Sequence, residues 1–87
     1  MLAGVTRTDL TGFRSWCDRQ GRWSPRAVQT IVSRVKRADK VVPVSTSATK
    51  TDYLRAVASS PAWATIPEAS RKTIVHALEQ YYTFVSA

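Results

Sequence analysis

The sequence predicts an all-α protein that folds as one compact four-helix bundle over residues 1–87. Two long segments carry apolar residues at intervals of three and four, which is the periodicity of an amphipathic helix. Helix-capping residues, in particular Gly21 and the pair Ser24-Pro25, stand at the ends of these segments. No stretch shows the strict apolar and polar alternation of a strand. We therefore expect four helices, at about 8–20, 24–41, 51–59 and 67–85.

The first helix is predicted to need its tertiary contacts, because Gly12 within it costs about 1 kcal/mol relative to alanine. Thr6 or Thr8 can cap its start, and Asp9 favours the positive end of the helix dipole. Gly21 is expected to end it, since glycine adopts a left-handed φ without strain. Its apolar side carries Leu10, Phe13, Trp16 and Cys17.

The second helix has the clearest separation of two faces. Ser24 can cap its first turn, and Pro43 disfavours helix at the residue before it. Asp39 is the exception, because it lies near the apolar side in the last turn. The apolar side carries Ala27, Val28, Ile31, Val32, Val35 and Ala38. The polar side carries Arg26, Gln29, Thr30, Ser33, Lys36, Arg37 and Lys40, with Arg34 at the border.

The second half of the chain is predicted to hold two helices after a flexible loop at 43–50. Thr49 or Thr51 can cap the third helix, and a single turn at 61–64 can place Trp63 in the core. Pro67 or Ser70 is expected to begin the last helix. The apolar stripe of this helix is Ile74, Ala77, Leu78, Tyr81 and Val85, and His76 is expected at its inner edge as a structural residue.

Basic residues are concentrated in one quarter of the chain. Residues 19–40 carry a net charge of +6 out of +7 for all 87 residues. A concentrated basic stripe is the electrostatic signature of a protein that binds a polyanion. Aromatic residues are not interleaved with these charges, which favours duplex DNA over single strands. The residues expected to contact DNA are Arg22, Arg26, Gln29, Ser33, Arg34, Lys36, Arg37, Lys40, Arg71 and Lys72.

Within this set, the side-chain chemistry predicts different roles. Arginine and lysine stay charged and pair with phosphate, whereas Gln29 and Ser33 can read base edges. Arg71 and Lys72 lie near the start of the last helix, where a phosphate would offset the unfavourable helix dipole. Trp23, beside Arg22, is the aromatic residue best placed to face a partner. Trp16 and Trp63 are expected in the core.

Composition argues against several other functions. Cys17 is the single cysteine, so no intramolecular disulfide can form and no Cys/His cluster can bind zinc. We expect Cys17 to be a buried, reduced thiol in a cytoplasmic protein. No apolar run approaches the ~20 residues of a membrane span, so no membrane partner is expected. The sequence also lacks paired carboxylates, a nucleophile with its base, and a phosphate-binding glycine loop, so neither catalysis nor a cofactor is expected.

Four segments follow one another in a characteristic order: FRSW at 13–16, SPRAVQTIVSRVKRADK at 24–40, DYLRAVASSPAW at 52–63 and ASRKTIVHALEQYYTFV at 69–85. In this order and spacing the chain resembles the N-terminal core-binding, SAM-like helical domain of tyrosine recombinases and phage integrases. The resemblance covers about residues 10–86, and the basic run at 33–37 is its most distinctive part. It implies a four-helix bundle that clamps one side of duplex DNA.

The resemblance does not imply DNA cleavage or recombination by this chain alone. The chemistry of that family takes an arginine pair, a lysine, a His-x-x-Arg motif and a tyrosine nucleophile in a second domain. Here His76 is followed by Ala-Leu-Glu, and Tyr81 and Tyr82 lie on the predicted core stripe. We therefore expect a non-catalytic module, either an excised domain that works with a catalytic recombinase domain or a stand-alone relative.

Charge patterning leaves a second interpretation open, a small helical protein-interaction module that docks an acidic protein surface, such as a phage-type adaptor or inhibitor. Two structural observations would separate it from DNA binding. An exposed apolar patch of a few hundred Å² would favour a protein partner. Convergence of residues 34–40 with Arg71 and Lys72 on one concave face would favour DNA.

Overall fold

The computed structural model describes residues 8–44 and 49–86, and these contain five helices and no strand. The all-α class is therefore confirmed. The helices are α1 (Leu10–Gln20), α2 (Pro25–Val41), α3 (Lys50–Ala58), α4 (Pro61–Ala64) and α5 (Glu68–Ser86). Four of them match the four predicted helices, and α4 is the predicted single turn. None of the helices in the described ranges is long and apolar enough to cross a membrane.

The start of α1 differs from the prediction. Asp9 is its N-cap, and the Asp9 carboxylate accepts the backbone N–H of Gly12 at 2.8 Å. Thr8 does not cap, since its hydroxyl donates to Asp39 instead, and Thr6 lies outside the described residues. A Cβ at position 12 would overlap the Asp9 carboxylate, so the capping contact requires glycine there.

The turn between α1 and α2 forms as predicted. Gly21 ends α1 with φ of 68°, in the left-handed region. Ser24 then caps α2, accepting the N–H of Ala27 at 3.1 Å, and Pro25 occupies the first helical position. This short connection packs α1 and α2 against each other, and α2 makes its most extensive contacts with α5.

Residues from every helix meet in one core. Trp63 of α4 is buried there, as predicted, whereas Trp16 is half-buried against Phe13 and Phe84. Val85 was expected on the apolar stripe of α5 but is 53% exposed. The last turn of α5 extends past Tyr82, the last buried residue of this helix. The buried residues are Phe13, Cys17, Val28, Val35, Ala38, Val44, Tyr53, Val57, Trp63, Ile66, Ile74, Ala77, Leu78, Tyr81 and Tyr82.

The segment after α2 is anchored where the sequence predicted a flexible loop at 43–50. Val44 is buried, its N–H donates to Asp39 at 2.9 Å, and its carbonyl accepts the Tyr82 hydroxyl at 3.3 Å. The hydroxyl of Tyr53 lies 2.7 Å from the carbonyl oxygens of both Ala38 and Val42, at the end of α2. Residues 45–48 lie outside the described part of the chain.

The remaining helix starts also resolve the predicted alternatives. Thr49 caps α3, accepting the N–H of Asp52 at 3.1 Å. The carbonyl of Pro67 accepts the N–H of Arg71 at 2.9 Å, so α5 begins directly after Pro67. Ser70 is not a cap, because it already lies within this helix.

Candidate nucleic-acid interface

The polar face of α2 is a continuous exposed surface. The opposite side of the helix packs into the core through Val28, Val35 and Ala38, and this packing fixes the rotation of α2 about its axis. Arg34 lies at the border and is half-buried, as the helical wheel predicted. The exposed residues are Arg26, Gln29, Thr30, Ser33, Lys36, Arg37 and Lys40, which we call the α2 face.

No carboxylate neutralises the α2 face within the described residues. The ion pairs among the described residues all lie outside α2. They are Lys50–Glu79 at 3.2 Å, Arg55–Asp52 at 3.8 Å and the weaker His76–Glu79 contact at 3.9 Å. The one acidic residue of α2, Asp39, accepts hydrogen bonds from Thr8 and Val44 instead. The cations of this face are therefore free to meet an external anion.

A groove of about 540 Å³ opens beside the α2 face, between the first half of α2 and the middle of α5. No carboxylate among the described residues lines it. The polar residues around it are Arg22, Arg26, Thr30 and Arg34 on one side and His76 and Gln80 on the other. We call this space the α2–α5 groove.

Apolar atoms form much of the α2–α5 groove. Ala27 and Ile31 of α2 and Ala77 of α5 line it, together with the half-buried Trp23. The guanidinium carbon of Arg22 lies 4.7 Å from the centre of the Trp23 ring, which is a cation–π contact. Trp23, predicted to face a partner, thus borders the groove with Arg22 held against it.

Arg71 and Lys72 lie elsewhere, around a second depression that also contains Glu68 and Glu79. His76 borders both spaces, so the two are neighbours on α5. The ten residues predicted to contact DNA are thereby divided. Arg22, Arg26 and Arg34 line the α2–α5 groove, and Arg26 also belongs to the α2 face. The α2 face further carries Gln29, Ser33, Lys36, Arg37 and Lys40. Arg71 and Lys72 line the second depression with Glu68 and Glu79, and none of residues 34–40 borders that depression.

The prediction for His76 is wrong. It was expected at the inner edge of α5, but 79% of its side chain is exposed. On α5 it stands between Lys72 and Gln80 at intervals of four residues, so the three form one row along the helix. That spacing, beside the buried stripe of Ala77 and Tyr81, is the signal by which the sequence could have assigned His76 and Gln80 to the groove.

The two tyrosines of α5 lie in the core, as predicted. Tyr81 and Tyr82 are 5% and 8% exposed, too little to reach a substrate. The Tyr81 oxygen accepts the backbone N–H of Asp9 at 3.1 Å, and the Tyr82 hydroxyl donates to Val44. Burial raises the pKa of Tyr81 and, with the neighbouring Tyr81 and Asp52, raises the pKa of Tyr82 to about 12.

Outside the α2–α5 groove, Val85 is the one large hydrophobic residue that is exposed among the described residues. The other large apolar side chains of these ranges are buried in the core or half-buried against it. Within these ranges, no group of three His, Cys, Asp or Glu side chains is arranged to hold a metal ion.

Comparison of the chain with protein-family models, with curated proteins and with solved structures finds no match. The resemblance to recombinase core-binding domains accordingly stays a prediction.

Proposed function

We propose that this domain binds duplex DNA through the α2 face, without itself catalysing a reaction. The observation that carries the proposal is the set of four cations on this face, Arg26, Lys36, Arg37 and Lys40, none of which pairs with a carboxylate among the described residues. A protein surface that keeps its cations unpaired over a whole helix is matched by the phosphates of a nucleic-acid backbone.

The dimensions of the α2 face suit duplex DNA. Arg26 and Lys40 are separated by about 21 Å of helix, enough to reach phosphates on both sides of a groove. An α-helix with its side chains also matches the major groove, about 12 Å wide. Gln29 and Ser33 lie between the cations, where their side chains can hydrogen-bond to base edges while the arginines and lysines hold phosphates.

We further propose that the domain is a module of the recombinase core-binding type. Four helices longer than one turn, in the order implied by the resemblance, are compatible with a SAM-like core-binding domain of the recombinase and integrase type. In that case a catalytic recombinase domain is the natural partner, and recombination chemistry resides there. The buried Cys17 is compatible with work in the reducing cytoplasm.

The test is fluorescence anisotropy with a labelled duplex of mixed sequence at 50 and 200 mM salt. With about four phosphate contacts, affinity should fall by about two orders of magnitude between the two conditions. The double variant Arg37→Glu/Lys40→Glu should abolish binding. The matched control Arg14→Glu/Arg55→Glu changes net charge equally at exposed positions of α1 and α3, and it should retain binding. Circular dichroism verifies that each variant is folded.

Two outcomes would contradict the proposal. One is no binding by the parent protein at 50 mM salt, after which an acidic protein partner becomes the hypothesis to test. The other is an equal loss in both double variants, which would show that net charge and not the α2 face determines binding.

A further inference from the structure

We propose that the α2–α5 groove binds a nucleotide that carries a terminal phosphate monoester, as at the 5′-phosphorylated end of a DNA strand. Where the nucleotide is a DNA end, this inference rests on the proposed function. The same chemistry is presented by a free nucleoside monophosphate, and the experiment below distinguishes the two sources.

The first reason is uncompensated positive charge in a concave space. Arg22, Arg26 and Arg34 all border the groove, and no carboxylate from residues 8–44 or 49–86 lines it. Arg34 is half-buried and forms no ion pair with a carboxylate among the described residues. Three like charges around one space repel each other, and a bound anion would turn that repulsion into attraction.

The second reason favours a monoester over an internal phosphodiester. A monoester carries a charge of about −1.5 to −2 at neutral pH and three acceptor oxygens, whereas an internal phosphodiester carries a single charge. One guanidinium group can bind two such oxygens at once, and three guanidinium groups border this groove. The cations of the α2 face, spread along one helix, instead suit successive phosphodiesters.

The third reason favours a nucleotide over bare phosphate. Ala27, Ile31 and Ala77 give the groove an apolar lining, and its volume of about 540 Å³ lies within the range of small-ligand sites. Arg22 is exposed and its guanidinium carbon lies 4.7 Å from the centre of the Trp23 ring, so two flat groups border the groove together. A base can therefore stack on Arg22 or contact the apolar lining while the phosphate meets the guanidinium groups.

The fourth reason is continuity with the α2 face. Arg26 belongs to both surfaces, since it is exposed on α2 and borders the groove. A duplex that follows the α2 face toward the start of the helix therefore arrives at the groove. A strand end of that duplex, with its terminal phosphate, can then reach the three arginines.

The experiment compares the affinities of two short blunt duplexes that differ only in a 5′-phosphate or a 5′-hydroxyl. We expect the phosphorylated duplex to bind about tenfold more tightly, equivalent to one charge-assisted hydrogen bond. Arg34→Met keeps the aliphatic packing of the side chain and should reduce this ratio to about one. The matched control Arg37→Met on the α2 face should weaken binding to both duplexes and preserve the ratio.

A second arm tests the free nucleotide without DNA. Adenosine 5′-monophosphate, adenosine and inorganic phosphate are titrated into ¹⁵N-labelled protein, and the amide and indole resonances are followed by NMR. Shifts confined to Trp23, Arg34, His76 and their neighbours with the monophosphate, absent in Arg34→Met, would support the groove site. If these shifts appear while the duplex ratio is one, the source is a free nucleotide.

Two results together overturn the inference: a ratio of one for the parent protein, and no monophosphate-dependent shifts at the groove. That outcome is distinct from failure of the proposed function, in which the parent protein does not bind the 5′-hydroxyl duplex at low salt. Binding of both duplexes with equal affinity, with no nucleotide shifts, would leave the α2 face supported and the groove site refuted.

Discussion

The carboxylate of Asp39 accepts the backbone N–H of Val44 at 2.9 Å, which ties the last turn of α2 to the chain that follows it. The same carboxylate oxygen accepts the hydroxyl of Thr8, just before α1. An acidic residue near the apolar side of α2 is thus explained by two hydrogen bonds that join separate segments. These hydrogen bonds also keep the carboxylate of Asp39, the only negative charge of α2, away from the α2 face.

Replacing Asp39 by alanine should destabilise the fold. The Val44 N–H would be left without an acceptor in a partly buried place, at a cost of about 1–3 kcal/mol in the free energy of unfolding. Urea denaturation followed by circular dichroism measures this. Asp18→Ala, which removes an equal charge from an exposed position of α1, is the control and should change stability by less than about 0.5 kcal/mol. Equal stabilities for the two variants would refute this role of Asp39.

The three tyrosines should titrate abnormally in the folded protein. Burial is the main cause that raises the pKa of each, with Asp39 adding to the effect at Tyr53 and Tyr81. Tyrosinate absorbance near 295 nm should therefore stay low at pH 10, where half of the unfolded tyrosines ionise. The same protein in concentrated urea is the control. A normal midpoint near pH 10 in the folded state would contradict the buried placement.

The direction of the associated stability change follows from the raised pKa values. A folded-state pKa above the unfolded value means that the neutral phenol is favoured by folding. This contribution is fully present below about pH 10 and is lost as the pH rises toward 12, the region of the Tyr82 pKa. For Tyr82 alone the loss is on the order of 2–3 kcal/mol. We expect Tyr82→Phe to flatten the decline in stability between pH 10 and 12, and an unchanged decline would be evidence against it.

The Cys17 thiol should be protected from modification. It is buried in α1, and burial together with the nearby Asp18 raises its pKa, so little reactive thiolate forms. Labelling with a disulfide reagent at pH 8 should be slower in the native protein than in urea by about a thousandfold or more, because it requires unfolding. Rapid stoichiometric labelling under native conditions would show that this part of the core is open.

Helix positions were predictable because the signals are local. Gly21 and Ser24 cap through their own conformation and side chain, and the α2 face follows from the periodicity of one segment. The hydrogen bond between Thr8 and Asp39 was not predictable, since the two residues lie 31 positions apart in the sequence. The groove was missed for the same reason. Arg34 and His76 meet only because α2 packs against α5, and no single segment carries that information.

Neutralising lysines at two positions should separate the α2 face from the rest of the basic surface. Lys40→Gln should lower affinity for duplex DNA several-fold and reduce the salt slope by about one, as expected for one lost phosphate contact. Lys72→Gln should change neither quantity, because Lys72 borders a depression that also holds Glu68 and Glu79 and would place those carboxylates near any phosphate it met. Both residues are exposed lysines on long helices, so the substitutions are matched in charge and setting. An equal loss at Lys72 would mean that the interface extends over the first turns of α5.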